Sequence, residues 1–450
     1  MSETRALAEF VLGCRSGDIP ADVRHEAHRA LLNIIGCSLG GARHPAVDRV
    51  LTAFAPVAGA PTASLLGRAE RLDPLHAALV NGISSHVLDY DDTVPKNYGH
   101  HSSPVASALL AYASVNPVSG RDFVDAFVLG FDVSSRVANA VYPAHYDAGW
   151  HMTGTVGVLG AAAAVGRLLG LTAGQMVWAL GLAATQSAGL REMFGSMAKS
   201  FHAGRAAQNG YGAALLAHSG FTAGEHGLDG PRGFAAVLAS EYDLSRITVA
   251  LGEQFELRDN TYKPFPCGIV IHPTIDGCIR LRHEHAIEAS DVTAVRLRVA
   301  PLVIDLCNQR PITRGLQGKF SVYHGAAIGL VCGRAGLREF SDDAVNDPAI
   351  ARVRDLTTAT AAATVSEDQA HVEVALRDGR TVSTFVEASI GNVRHPLSDA
   401  RLEAKFREQA GTVLPPPAID VLARLCWDVD TVMDMREVVA VATPRALASS

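Results

Sequence analysis

Apolar residues recur at three- and four-residue steps along most of the first 260 positions, a spacing that predicts helices. In 21–39, Val23, Ala27, Leu31, Ile34, Ile35 and Leu39 fall on one stripe, after Pro20 and before Gly40–Gly41. Further helical blocks are expected at 76–87, 104–113, 120–139, 153–169, 173–188, 203–218 and 230–239. Ala and Gly dominate them, which lets helix backbones approach closely but carries no chemistry.

Near Lys263 the period changes. Residues 293–299 (TAVRLRV) alternate as a half-buried strand does, and 371–376 and 381–388 flank Asp378–Gly379, a hairpin signal. A helix is expected near 322–337, between these strands. After Pro396, Ser398 is a candidate N-cap, with Leu402 and Phe406 on one face of a returning helix. The chain therefore reads as mainly α. A large all-helical domain is built from both chain ends, 1–262 and 394–450, and a smaller α+β lid domain is inserted over 263–393.

Composition narrows the function classes. At 450 residues, two domains are the default, and 48% hydrophobic against 19% charged residues suits a globular chain with a large core. A net charge of -7, with no Lys/Arg run, supplies no field for nucleic acid. The seven cysteines are scattered and never spaced CxxC, which argues for free thiols in a reducing compartment. MSETRALAEF has no signal pattern, and the apolar run 156–166 ends at Arg167, short of the roughly 20 residues of a membrane span. A cytoplasmic protein with neither membrane nor nucleic-acid partner is expected.

The chemistry-bearing residues are unevenly spread. Asp89, Asp91, Asp92, Thr93, His100 and His101 crowd into a short segment flanked by apolar helices. Each alone could be a cap or a solvated loop residue. Gathered between buried helices, they are costly unless paired or used. Trp150–Thr155 (WHMTGT) opens an Ala/Gly-rich helix, where His151, Thr153 and Thr155 beside outward backbone N–H groups would suit a carboxylate, or would simply cap the helix. Lys199–Arg205 (KSFHAGR) also precedes a helix. Ala198 stands where a phosphate loop requires glycine, so a nucleotide site is rejected. Lys199 instead fits an anion clamp or, with a lowered pKa, a proton donor, with His202 counted beside it among the substrate-binding residues. His272, next to Pro273 at the expected domain junction, is placed to face a cleft, and Tyr323 brings a phenol to a helix start. There is no HExxH, no paired Cys/His spacing, no GxSxG and no GxGxxG after a strand, so no dedicated metal, serine-hydrolase or dinucleotide site is expected.

The segments NGISSHVLDYDDT, HSSPVASALLA, HMTGTVGVLGAAAAVGRLLGL, AKSFHAGRAAQNG, KPFPCGIVIHP, GKFSVYHGAAIGL and HPLSDARLEAKF, in this order, resemble the MmgE/PrpD family over essentially the whole chain. The family includes 2-methylcitrate dehydratase, cis-aconitate decarboxylase and iminodisuccinate epimerase. The resemblance implies a helical domain from both chain ends, an α+β lid, a homodimer, and no metal or organic cofactor. It implies a pocket of Asp89, Thr93, a loop histidine, His151, Lys199, His272 and Tyr323. Where the family's loop reads HPS, this chain reads HHSSP with one extra residue. Alignment on Ser102 and Pro104 makes His100 the equivalent and leaves His101 as the alternative. The expected function is a cofactor-independent lyase on a small di- or tricarboxylate, with His-based acid–base chemistry and dehydration placed ahead of decarboxylation. His151 and His272 are the expected acid–base pair, and His145 lies outside the matched motifs. The alternatives are an epimerase or isomerase of a dicarboxylate, or a non-catalytic carboxylate-binding relative.

Overall fold

A computed structural model describes residues 2–444. The apolar stripes of the first part form α1 (Glu3–Gly13), α2 (Ala21–Gly41), α3 (Pro74–His86), α4 (Ser102–Ala113), α5 (Gly120–Val141), α6 (Met152–Leu168), α7 (Ala173–Ala184) and α8 (Ala198–His218). Local sequence sets their ends. Asp73 Oδ1 accepts the N–H groups of Leu75 and His76 at 3.1 and 3.2 Å, with Pro74 in the first turn of α3. Thr172 and Gln175 form a capping box on α7. The glycines fit the bundle together at two crossings. A Cβ on Gly160 of α6 would lie 2.5 Å from the carbonyl oxygen of Gly130 on α5, and one on Gly210 of α8 would lie 2.5 Å from that of Val158 on α6. No larger residue fits either place without separating the helices.

Several boundaries differ from expectation. α8 begins at Ala198 rather than 203, α7 stops at Ala184, and the block at 230–239 shrinks to one turn, Phe234–Leu238. α1 was not anticipated. The first part is not wholly helical either: β1 (Ala63–Ser64) and β2 (Arg71–Leu72) pair antiparallel as a ribbon too short to show alternation.

After Lys263 come α9 (His272–His285), β3 (Val292–Val299), α10 (Val322–Cys332), β4 (Thr357–Ala361), β5 (Ala370–Leu376) and β6 (Thr381–Val386). The sheet order is β4-β3-β5-β6, with only the β3–β4 pair parallel. Val295, Leu297 and Val299 are the buried face of β3, as the alternation required, while a register shift between Val292 and Ala294 buries Val292 and leaves Thr293 exposed. α9 covers β5 and β6 closely enough that a Cβ on Gly277 would meet Val372 at 2.9 Å. Neither α9 nor β4 was anticipated. β4 reads TTATA and buries only its first residue, so its sequence shows no apolar alternation. The segment expected to be a hinge at Ile271–Pro273 is instead the start of α9, where the missing N–H of Pro273 costs nothing.

The chain then returns to the helical part. Ser398 Oγ caps α11 (Asp399–Ala410), accepting the Arg401 N–H at 3.4 Å, and α12 (Pro416–Trp427) follows. Both lie on α2, and Phe406 would be 3.1 Å from a Cβ at Gly36. Residues 445–450 of the expected returning segment lie outside the described residues. All seven cysteines are unpaired thiols. Among the described residues no helix is long and apolar enough to cross a membrane.

Candidate active site

The end of α3 turns the acidic segment inward. Asp89 adopts a left-handed backbone (φ 50°), which Asp tolerates better than most residues, and its N–H donates to His86 O at 3.0 Å. Three lysines from distant parts of the chain hold this turn. Lys319 Nζ donates to the carbonyls of Leu88 (2.7 Å) and Pro266 (2.6 Å). Lys405 Nζ, from α11, donates to those of Tyr90 (2.7 Å) and Lys263 (3.0 Å). Lys263 Nζ reaches Asp89 Oδ1 at 3.0 Å and Cys267 O at 3.1 Å. Burial lowers Lys319 and Lys405 to about 8.

Asp89 Oδ1 also accepts from Lys199 Nζ at 2.6 Å. Burial alone would raise this carboxyl. The two ammoniums outweigh it and hold Asp89 well below the usual carboxylate range. Its second oxygen, Oδ2, has no hydrogen-bond partner among the described residues. Lys199, in the first turn of α8, is lowered by the same burial, partly offset by Asp89, and lies 5.4 and 5.5 Å from the ring centres of Phe194 and Phe320.

The two loop histidines face different ways. His100 Nδ1 is 3.2 Å from both Asp91 Oδ2 and Thr93 Oγ1, and its backbone N–H donates to Thr153 Oγ1 at 3.1 Å. His101 is spent on the bundle. Its Nε2 meets Asn97 Oδ1 at 3.1 Å, its Nδ1 meets the Ser134 hydroxyl at 3.0 Å, and Phe131 packs edge-on at 5.2 Å. Burial takes His101 down to about 3. His151, at the N-cap of α6, shares a proton with His202, whose Nδ1 is 2.9 Å from its own. Burial, then Lys199 and His202, hold His151 well below an ordinary imidazole. Asp92 has another role. It accepts from Asn33 (3.1 Å), Asn260 (2.6 Å) and Ser102, and burial, opposed by the Ser102 hydroxyl, moves it up to about 6.

These groups surround a cavity of about 40 Å³ lined by Asp89, Thr93, His100, His151, Lys199 and Lys263 together with apolar residues such as Phe194, Val270 and Phe320. Of the residues expected in the site, Asp89, Thr93, His100, His151 and Lys199 come together here. Thr153, His202 and His101 stand behind the lining, each bonded to a neighbour. The hydroxyls of the WHMTGT helix start do not form the open carboxylate site expected of them. Thr153 serves His100, and Thr155 Oγ1 lies 2.8 Å from His145 Nε2. Two further residues fall outside the lining. His272 is buried edge-on against Phe265 at 5.4 Å, brought to about 3 by burial and then by Lys263, with Nε2 unpartnered among the described residues. The Tyr323 hydroxyl donates to Asn308 Oδ1 at 2.6 Å, under the guanidinium of Arg310. The pair of imidazoles that borders the cavity is thus His100 with His151, rather than His151 with His272.

Sequence reasoning passed over His86 and did not assign Lys263 to the site. His86 Nδ1 lies 2.8 Å from Asp91 Oδ2. The donor atoms of His86, Asp91 and His100 lie within 4.8 Å of one another, which could accommodate a cation. As they stand, both rings turn Nδ1 toward one oxygen of Asp91, at 2.8 and 3.2 Å, while Asp91 Oδ1 and His86 Nε2 are buried without a hydrogen-bond partner among the described residues. Lys263 did carry a signal, since it begins the quoted KPFPC motif.

The family model for the MmgE/PrpD N-terminal domain matches residues 5–247, and that for the MmgE/PrpD C-terminal domain matches 265–429. The cis-aconitate decarboxylase of Aspergillus terreus is 26% identical over 96% of this chain and 94% of its own length. That of Homo sapiens is 26% identical over 96% and 93%. The 2-methylcitrate dehydratase of Escherichia coli (strain K12) is 23% identical over 78% and 76%. With both family models matched in order along one chain, this protein belongs to the MmgE/PrpD family.

Proposed function

We propose that the chain is a lyase acting on a small polycarboxylate by histidine acid–base chemistry, and that its reaction is decarboxylation of a cis-aconitate-like acid. The observation that carries this reading is the meeting of two buried ammoniums, Lys199 and Lys263, with two buried imidazoles, His100 and His151, around one cavity. Ammoniums hold substrate carboxylates, and imidazoles move protons near neutral pH. The likeness to cis-aconitate decarboxylases over 96% of the chain, against 78% for 2-methylcitrate dehydratases, favours decarboxylation over the dehydration expected first. Dehydration of a citrate-like acid is the second reading.

Decarboxylation breaks the bond to the departing carboxylate, sends its electron pair into the adjacent unsaturated carbons, and closes with a proton from an imidazolium. Dehydration takes a carbon-bound proton onto an imidazole and returns one to the leaving hydroxyl. Either way, one histidine must hold a proton that burial and Lys199 now disfavour. Substrate carboxylates arriving beside His100 and His151 act in the opposite sense and raise both. Proton uptake therefore accompanies binding. No organic cofactor or metal takes part in the proposed reaction.

At about 40 Å³ the cavity is far smaller than the roughly 300 Å³ at which ligand sites begin, so it opens to admit substrate. Its Tyr98, Ile269 and Val270 also line an outer cavity of about 670 Å³, which is the proposed approach. The Tyr98 hydroxyl, hydrogen-bonded to Glu367, and the Arg191–Asp305 ion pair tie the two parts of the chain together beside this route. The proposal includes a homodimer, supported by the exposed Phe201, Leu215 and Leu216 at helical spacing along one side of α8, and a cytoplasmic location, supported by the unpaired thiols.

A panel of cis-aconitate, citrate and 2-methylcitrate, with carbon dioxide release and product NMR as readouts, tests the reading. Carbon dioxide from cis-aconitate is the expected result. Loss of water without carbon dioxide would move the assignment to dehydration. No turnover and no solvent exchange with any of them would leave a carboxylate-binding relative.

A further inference from the structure

His86 and Asp91 are fully buried, lie outside the cavity lining, and take no direct part in the proposed reaction. Asp91 Oδ2 sits between two rings, 2.8 Å from His86 Nδ1 and 3.2 Å from His100 Nδ1. An ionised carboxylate can only accept, so a ring nitrogen that bonds it does so as an N–H: His86 Nδ1 donates to Asp91, and His100 Nδ1, which Thr93 Oγ1 also meets at 3.2 Å, bonds Asp91 only when it carries the proton. A neutral imidazole protonated at Nδ1 carries its lone pair on Nε2. For His100, which borders the cavity, that is the nitrogen left free to exchange protons.

His86 is firmly placed to take part. It occupies the last turn of α3, is 1% exposed, packs edge-on against His100 at 4.6 Å and stacks on His151 at 5.6 Å. Burial, against the pull of Asp91, keeps it down near 4, so at neutral pH it brings a donor to Asp91 without a charge. A second donor on the same oxygen does two things. It fixes the carboxylate in the plane where His100 meets it, and it divides the carboxylate's pull, so that His100 is less firmly held as an imidazolium.

We infer that His86 is a positioning residue which, through Asp91, fixes the Nδ1–H tautomer and the ring orientation of His100. The inference rests on the proposed acid–base role of His100, and it extends the site to a group that touches neither the cavity nor the reacting atoms. A divalent cation shared by His86, Asp91 and His100 is the competing use of the same atoms, and it would replace both ring protons.

Two variants and one spectrum test it. His86→Asn keeps a donor close to the position of Nδ1, whereas His86→Leu removes it. Long-range proton–nitrogen correlation spectra of histidine-labelled, unliganded protein should show His100 protonated at Nδ1 in the wild type and in His86→Asn, with that signature lost or mixed in His86→Leu. With a polycarboxylate that the wild type turns over, His86→Leu should lower kcat about 10- to 100-fold with KM within about threefold, and His86→Asn should recover most of the loss. His100 protonated at Nε2 in the wild type, equal losses in the two variants, or a stoichiometric divalent metal in the purified protein would each overturn the inference. Should His86→Leu fail to fold, the wild-type and His86→Asn spectra still decide it. Should the wild type turn over no polycarboxylate, the proposed function fails while the tautomer spectrum independently reports on His86.

Discussion

The two walls of the cavity are built from different chemistry. The helical part contributes Asp89, Thr93, His100, His151 and Lys199, while the part after Lys263 contributes Gly268, Ile269, Val270, Leu306, Cys307 and Phe320. Lys263 itself, at the boundary, is the one charged group on the second side. One wall thus holds the charges in a bundle fixed by close helix contacts, and the other is an apolar cover that excludes water. Lys263 and Lys319 tie this side to the Asp89 turn, and the apolar residues beside them keep water from the site, which strengthens the electrostatic contacts beneath.

The largest effects are expected where a charged-wall group that would move a proton is removed. His100→Gln and His151→Gln should each lower turnover roughly 100-fold or more with the fold intact. His145→Gln should cost far less, since both its ring nitrogens are already engaged, with Leu238 O and Thr155 Oγ1 at 2.8 Å each. Equal losses at all three positions would mean that a structural histidine cluster had been taken for a catalytic one. Steady-state kinetics on the three variants decides it.

Next comes the clamp. Lys199→Ala should weaken binding of citrate or aconitate by roughly 2–4 kcal/mol, the usual cost of removing one partner of a buried charge pair. Lys199→Arg should not restore it fully, because a planar fork does not replace a compact ammonium. Titration calorimetry measures both, and unchanged affinity in Lys199→Ala would remove Lys199 from the clamp.

Acid should loosen the charged wall as well. Burial holds His101 near 3 and His145 and His202 near 4, below their ordinary values. Each binds its proton only on unfolding, so stability is fully present above about pH 6.5 and is lost as pH falls toward 4. In that window each such group contributes a slope approaching about 1.4 kcal/mol per pH unit. Urea unfolding at pH 7 and pH 5 should show a clear loss at the lower value. Equal stability at both would mean that these rings are not held neutral.

The smallest effect concerns the cover. Glu367→Ala removes the acceptor of the Tyr98 hydroxyl, and Asp305→Ala removes the partner of Arg191. Partly exposed contacts of this kind are worth about 0–1 kcal/mol, so substrate association should change by less than about fivefold. Stopped-flow association kinetics should find the change in the on-rate, with kcat untouched. A loss of kcat instead would put these contacts inside the chemistry.

The same contrast explains what the sequence made legible. The charged wall comes mostly from short motifs in which Asp89, Thr93, His100, His151 and Lys199 are conspicuous among Ala and Gly. Helical periodicity places those motifs beside the end of α3 and the starts of α4 and α6, and close to the start of α8. His86 escaped notice because its partner Asp91 lies five residues away, across the turn that ends α3, and only the left-handed Asp89 swings it back. Lys319 and Lys405 reach carbonyls more than 200 residues distant, which no local pattern reveals. His272 was expected at a cleft because Pro273 was read as part of a hinge, whereas Pro in a first helical turn gave α9 and a buried ring. β4 has no apolar alternation to read.

Solvent deuterium incorporation tests the division of labour between the walls most directly. Wild type, His100→Gln, His151→Gln and His272→Gln would each be incubated with cis-aconitate in D2O, and the product carbons examined by NMR. The expected result is one deuterium per turnover in the wild type and in His272→Gln, with incorporation collapsing in His100→Gln and His151→Gln. Incorporation that survives in both of those variants and fails in His272→Gln would place the proton transfer on the opposite wall and contradict the assignment.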